Sequence, residues 1–151
     1  MIYDHIHDFA RNIPPEGAII GLDYGAARIG IAVCDATRII ASPREVYARR
    51  NISKDLGHIS RIIRENSVVA CVIGLPLSPD GSEGENCINI REFAAKLIKK
   101  TNLPTLLYDE RFSTAAVTRS MQDAGVKRKN RQAVDDKLAA GYILQCVVDM
   151  L

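Results

Sequence analysis

The chain has 151 residues, 47% of them hydrophobic and 25% charged, an ordinary balance for one soluble globular domain. Lys and Arg number 20 against 18 Asp and Glu, a formal net charge of +2, so bulk charge names no partner and any nucleic-acid reading rests on local patches. No apolar run approaches the ~18 residues of a membrane span, and the first residues lack the basic start and apolar core of a secretory signal. The chain therefore reads as cytoplasmic, with no membrane partner. Cys34, Cys71, Cys87 and Cys146 form no CxxC pair and no Cys/His cluster. They read as free buried thiols, not as a zinc site or a disulfide framework.

Ile2, Ile6, Phe9 and Ile13 recur at steps of four, three and four, which predicts an amphipathic helix from Met1 to Ile13 stopped by Pro14-Pro15. Residues 1–17 are expected to be a helical extension on a domain spanning 18–151. Ala18 to Asp23 and Ile29 to Asp35 read as two strands joined by a tight turn, because each apolar run is short and rich in Ile and Val. Arg38 to Val46 is a weaker third strand. Pro43 has no N–H for a ladder bond and demotes that strand to an edge or breaks it at a bulge.

Ser53 is a candidate N-cap for a helix carrying Leu56, Ile59, Ile62 and Ile63 and ending near Asn66. Val68 to Gly74, Val-Val-Ala-Cys-Val-Ile-Gly, is a continuous apolar run expected of a central strand covered on both faces. A loop from Leu75 to Glu85 follows, then Ile88, Phe93, Ala94, Leu97 and Ile98 at helical spacing, completing a βαβ-type crossover. Leu103 to Tyr108 is the last strand and runs into Asp109-Glu110-Arg111-Phe112-Ser113-Thr114. Ser113 can cap a helix to about Ala124, with Gly125 as its stop. Val126 to Ala133 reads as a basic loop holding Lys127, Arg128, Lys129 and Arg131, and Asp135-Asp136 is expected to open a final helix.

Asp23 sits at the end of an apolar strand, where a charge loses hydration and needs compensation. Its role is structural if Arg28 or the amides of its own turn supply that compensation, and functional if a ligand does. If the later strands lie parallel to the first, Asp23, Asp109-Glu110 and Asp135-Asp136 converge at the carboxyl ends of the strands, where α/β sheets place ligands. Clustered carboxylates repel unless a cation lies among them. Magnesium, with manganese as the alternative, is the natural ion, being hard and oxygen-seeking. Two such ions about 3.5–4 Å apart activate water and stabilise the leaving oxygen of a phosphodiester. The basic segment would bind backbone phosphates beside them. With no Trp and 5% aromatics, recognition by backbone and shape is expected over base-by-base reading.

These residues resemble the YqgF family of RNase H-like nucleases, also called RuvX. Gly21-Leu22-Asp23-Tyr24-Gly25 with Arg28-Ile29-Gly30, and Gly74-Leu75-Pro76-Leu77 with Asp80-Gly81-Ser82-Glu83-Gly84, carry the likeness. It continues through Asp109-Glu110-Arg111-Phe112-Ser113-Thr114 to Asp136-Lys137-Leu138-Ala139-Ala140 and Ile143-Leu144-Gln145. Phe112 and Ser113 stand where the family often has Leu and Thr. The resemblance implies an α/β RNase H-like fold, a mixed five-stranded sheet flanked by helices, and a role in maturing the 5′ end of pre-16S ribosomal RNA. It implies a divalent-metal site in which Asp23 and Asp136 match the first and last acids. Glu110 is taken as the middle acid, with Asp109 the alternative and Asp135 an extra acid. Arg28, Arg111, Lys127, Arg128, Lys129 and Arg131 are the expected substrate-binding residues.

Other readings compete. One is resolution of four-way DNA junctions, which rests on likeness to the same superfamily. Another is an RNA-binding assembly factor whose acids are only structural. A third is nucleotide binding at the Asp-x-Gly turn, which in actin-like and sugar-kinase proteins needs a second lobe that this chain does not supply.

Overall fold

In the computed structural model the backbone is described for residues 1–112 and 128–151, and side chains for 1–111 and 138–151. The elements in order are β1 (Ile2–Tyr3), α1 (Ile6–Arg11), β2 (Ala18–Tyr24), β3 (Arg28–Cys34), β4 (Ala41–Ala48), α2 (Ile52–Glu65), β5 (Val68–Leu75), α3 (Glu85–Thr101) and β6 (Thr105–Asp109). A 3-10 turn (Glu110–Phe112) follows, and later the long helix α4 (Arg128–Val148). The strands form one six-stranded sheet in the order β1-β6-β5-β2-β3-β4. β1, β6, β5 and β2 run parallel, and β3 and β4 continue antiparallel from β2.

The hydrophobic pattern accounts for the layers. β5 is buried along nearly its whole length, as its unbroken apolar run requires of a strand covered on both faces. On one face Ile20, Leu22, Cys71 and Ile73 pack against Leu56, Ile59 and Ile63 of α2 and Ile90, Phe93 and Leu97 of α3. On the other, Ile19, Ala70, Val72, Leu106 and Tyr108 pack against Ala139, Ala140, Ile143, Leu144 and Val147 of α4, with Phe9 of α1 at the side. Pro43 is accommodated in both expected ways: β4 is the edge strand, and its ladder skips Arg44 between Glu45 and Pro43. The bulged Arg44 reaches the Asn66 side chain.

Several expectations are corrected. The sheet has six strands where five were expected, because Ile2 and Tyr3 pair with Thr105 and Leu106 and so satisfy the otherwise open edge of β6. The expected helix over Met1 to Ile13 is correspondingly reduced to Ile6–Arg11. The cap of α2 is Asn51, whose side chain accepts from the Lys54 amide at 2.9 Å, not Ser53. The expected basic loop is helical from Arg128 onward, and Asp135-Asp136 lie inside α4 instead of opening it. Arg, Lys, Gln and Ala are good helix formers, and neither Pro nor Gly interrupts the chain before Gly141. Lys127 and the expected helix from Ser113 to Ala124 lie outside the described residues.

No described helix is long and apolar enough to cross a membrane. All four cysteines are free, and burial pushes the Cys71 thiol up to about 12, which makes it an inert core group.

Candidate active site

Strand parity brings the acids to one rim. Ile19, Gly21 and Asp23 alternate onto the α4 face of β2, since Ile19 packs in the α4 layer and Gly21 lies against Ala140 and Leu144. Val72 and Gly74 lie on the same face of β5, and Leu106 and Tyr108 on the same face of β6. The register pairs Leu22 with Ile73 and Gly74 with Tyr108, so Asp23 and Gly74 come level at the carboxyl ends of neighbouring parallel strands.

Glu110 opens the 3-10 turn directly after β6 and is 9% exposed. Its carboxylate closes over Gly74: a Cβ at position 74 would collide with Glu110 Oε1 and lie 2.8 Å from Ile143 Cδ1. Strands lie about 4.8 Å apart, so the Glu110 carboxylate lies one strand away from Asp23. Gly74 thus performs a steric task. The strand that brings no acid of its own to the rim leaves room for the acid of the next strand.

Asp109 is differently occupied. Its carboxylate accepts two hydrogen bonds from Arg111 Nε at 3.1 Å and one from Nη2 at 2.8 Å, and its Oδ1 also accepts from the Arg111 amide at 2.9 Å. The Arg111 guanidinium holds the Asp109 carboxyl below the usual range. Arg111 also donates to the Pro79 carbonyl at 3.2 Å, pinning the loop after β5 to the tip of β6. At the other end of that loop Arg91 pairs with Glu83 at 2.6 Å and with Asp4 at 2.9 Å.

The position of Asp136 follows from the backbone of α4. Positions 136, 140, 143 and 147 share one helical stripe, and Ala140, Ile143 and Val147 of that stripe are fully buried on the sheet. Gln145 of α4 bonds to Ala41 and Ile39 beside the far end of β3, and Ala140 lies at Gly21. Lower numbers along α4 therefore run toward the rim. Four helical residues advance about 6 Å and two strand residues about 6.6 Å, which carries position 136 from Ala140 as far as Asp23 lies beyond Gly21. Position 135 falls on the flank of that stripe.

The turn after Asp23 is closed by the Gly25 amide bonding to the Arg28 carbonyl at 2.8 Å. Arg28 opens β3, half-buried. Arg49, which the sequence reading did not select, fixes this turn: its Nη1 donates to the carbonyls of Gly25 and Ala26, both at 3.0 Å. Its guanidinium lies 4.4 Å from the Tyr24 ring centroid and pairs at 3.4 Å with Asp55, which is wholly buried. Burial raises the Tyr24 phenol above its ordinary value, so it stays neutral at physiological pH. No motif signals Arg49. Its one sequence cue is a basic pair directly before the Asn51 cap.

Among the described residues no three Asp, Glu, His or Cys side chains form a metal-binding group. Asp23 and Glu110 contribute oxygen donors only, which fits a hard divalent ion better than zinc. Arg128, Lys129 and Arg131 occupy the first turn of α4.

A family model described as RuvX, Holliday junction resolvase, matches residues 17–150. The chain is 45% identical to an Anaplasma marginale protein named "Putative pre-16S rRNA nuclease", over 99% of this chain and 96% of that one. It is 44% identical to an Ehrlichia chaffeensis protein of the same name, over 100% and 97%. Among solved structures, T. thermophilus RuvC in complex with a Holliday junction substrate superposes with a TM-score of 0.55 at 12% identity, covering 89% of this chain and 95% of that one. At that identity the likeness establishes the RNase H-like fold alone. By the extent of the family match and the identity to these relatives, the chain belongs to the RuvX family.

Proposed function

We propose that this protein is a divalent-metal-dependent endonuclease that matures the 5′ end of pre-16S ribosomal RNA, with Asp23, Glu110 and Asp136 as its metal-holding acids. The observation that supports the reading is the Glu110 carboxylate seated over Gly74, at the end of the strand that neighbours the one Asp23 closes. The names of the relatives support the substrate.

A bound magnesium or manganese ion would supply the positive charge that makes water nucleophilic and stabilises the departing oxygen. The chain's own residues supply the rest. Asp23 and Glu110 project from the ends of a rigid parallel sheet, so their spacing is fixed before substrate arrives. Asp109, neutralised by Arg111, adds no further negative charge where a phosphodiester must approach. Arg128, Lys129 and Arg131, with Lys127 before them, are assigned to backbone phosphates, and Arg28 to the strand at the turn.

The family description and the RuvC fold favour a second reading, a four-way DNA junction as substrate. The two are separated by incubating the protein and its Asp23→Asn variant with a precursor 16S RNA fragment and with a junction, in magnesium, manganese or chelator. Cleavage of the RNA by wild type alone, lost in chelator, is expected. Cleavage of the junction instead selects the resolvase, and retained RNA binding with no cleavage of either selects a non-catalytic assembly factor.

A further inference from the structure

A cavity of about 450 Å³ lies against the same turn on the opposite side of the sheet from the acids, a size within the range of small-ligand sites. One wall is the backbone of Tyr24, Gly25 and Ala26, the three residues directly after Asp23, and the floor is the stack of Tyr24 on Phe93, with ring centroids 4.2 Å apart. Tyr24 follows the Ile20, Leu22 parity toward α2 and α3, so cavity and acids flank one ridge. Asp23 and Tyr24 have Cα atoms about 3.8 Å apart, which brings the cavity within one nucleotide of the acid.

The ridge itself is low. It consists of Gly25 and Ala26, and a Cβ at Gly25 would meet the Arg28 carbonyl oxygen at 2.9 Å. Beyond it, Asn86 and Asn89 of α3 present amides, which can both donate and accept, and the exposed Glu92 and Lys96 further along the same helix bring one carboxylate and one cation to the lining. Arg49 completes the wall, already fixed by Gly25, Ala26 and Asp55. Core packing accounts for Phe93 and turn closure for Arg49, but neither requires two exposed amides and a lysine around one hollow. The combination suits a nucleotide: amides for base edges, the partly exposed Arg49 guanidinium plane for the base, since Phe93 is buried beneath Tyr24, and the Lys96 cation for the phosphate.

We propose that this cavity is a nucleoside subsite, which takes an unpaired base of the substrate strand across the Gly25-Ala26 ridge while the adjoining phosphodiester lies at Asp23 and Glu110. The inference rests on the nuclease reading and adds to it that the RNA is single-stranded at the nucleotide beside the cut. A free nucleotide shares this chemistry and is tested separately.

The experiment titrates wild type, Asn89→Ala and Lys96→Ala with a single-stranded RNA octamer, the same octamer in a duplex, and a nucleoside monophosphate. Calcium replaces magnesium to keep the RNA uncut. Binding is read by fluorescence anisotropy for the oligonucleotides and calorimetry for the monophosphate, and the Asn side-chain amides are followed by NMR. Each variant is expected to weaken octamer binding about five- to tenfold, the loss of one polar contact. Duplex binding should change less than twofold, and the Asn86 and Asn89 amide signals should shift when wild type meets the octamer. Unchanged octamer binding by both variants overturns the subsite, as does an equal loss for the duplex. A monophosphate bound as tightly as the octamer overturns its assignment to a strand. Amide shifts and selective loss without cleavage in magnesium would overturn the nuclease reading and leave the subsite standing.

Discussion

Replacing Gly74 by alanine tests the site through a residue that bears no charge and touches no ligand. The added Cβ would clash with Glu110 Oε1, lie 3.1 Å from Glu110 Cδ and 2.8 Å from Ile143 Cδ1. All three atoms are at the far ends of flexible side chains, so the backbone can stay while they yield. Ordinary contact is about 3.5–4.0 Å, which requires the Glu110 carboxylate oxygen to retreat by about 1–1.5 Å. A misplacement of about 1 Å in a positioned group costs about 10²-fold in rate, equivalent to about 2.7 kcal/mol of barrier. Overpacking at such a site costs about 1–3 kcal/mol of stability, or about 2–4 °C of Tm for each kcal/mol in a domain of this size. The assay pairs single-turnover cleavage with thermal unfolding. Gly57→Ala serves as control, since nothing lies within 4 Å of its added Cβ. A Gly74→Ala protein that unfolds a few degrees early but cleaves within twofold of wild type would refute the role given to Glu110.

Further outcomes follow from the same geometry. Gly21→Ala places a Cβ 2.8 Å from Leu144 Cβ and 3.2 Å from the Ala140 carbonyl oxygen, atoms that move only if α4 moves; stability should fall by about 3 kcal/mol, measured by urea denaturation, and cleavage with it. Asp55→Ala removes the acceptor of the Arg50 amide and the partner of Arg49 and should cost about 2–3 kcal/mol, read from the Tm. Arg111→Ala should make stability less sensitive to acid. Asp109 has its carboxyl lowered by Arg111, so its stabilising contribution is present above the unfolded value of about 3.9 and is lost as pH falls through the lower folded value. The difference between wild type and variant should therefore be full at neutral pH and shrink below about pH 4, followed by circular dichroism melts across pH.

Much of this was legible because burial dictates pattern. The short, β-branched run from Val68 to Gly74 is what a strand covered on both faces requires, and Pro43 pointed to an edge or a bulge, both of which β4 has. Asp23 was visible as a charge at the end of such a run. The choice between Asp109 and Glu110 was not legible, since adjacent acids differ only in which face of the sheet they follow. The Glu110 carboxylate over Gly74 and the pairing of Asp109 with Arg111 are the grounds on which Glu110 is proposed as the middle acid. The strand at Ile2–Tyr3 escaped notice because two residues carry no period, and only the open edge of β6 selects them. The start of α4 departs from the expected loop because a basic cluster carries no apolar period, while its Arg, Lys and Gln residues favour a helix. Arg49 was missed because it acts through carbonyl oxygens, which leave no trace in side-chain spacing.

The most direct test of the central claim, that Asp23, Glu110 and Asp136 form one metal centre from which Asp109 is excluded, is calorimetric titration with manganese. Wild type, Asp23→Asn, Glu110→Gln, Asp136→Asn and Asp109→Asn are compared at one pH and salt concentration. The three centre variants should each lose at least tenfold in affinity while Asp109→Asn binds as wild type does. Wild-type affinity in Glu110→Gln together with loss in Asp109→Asn would contradict the account.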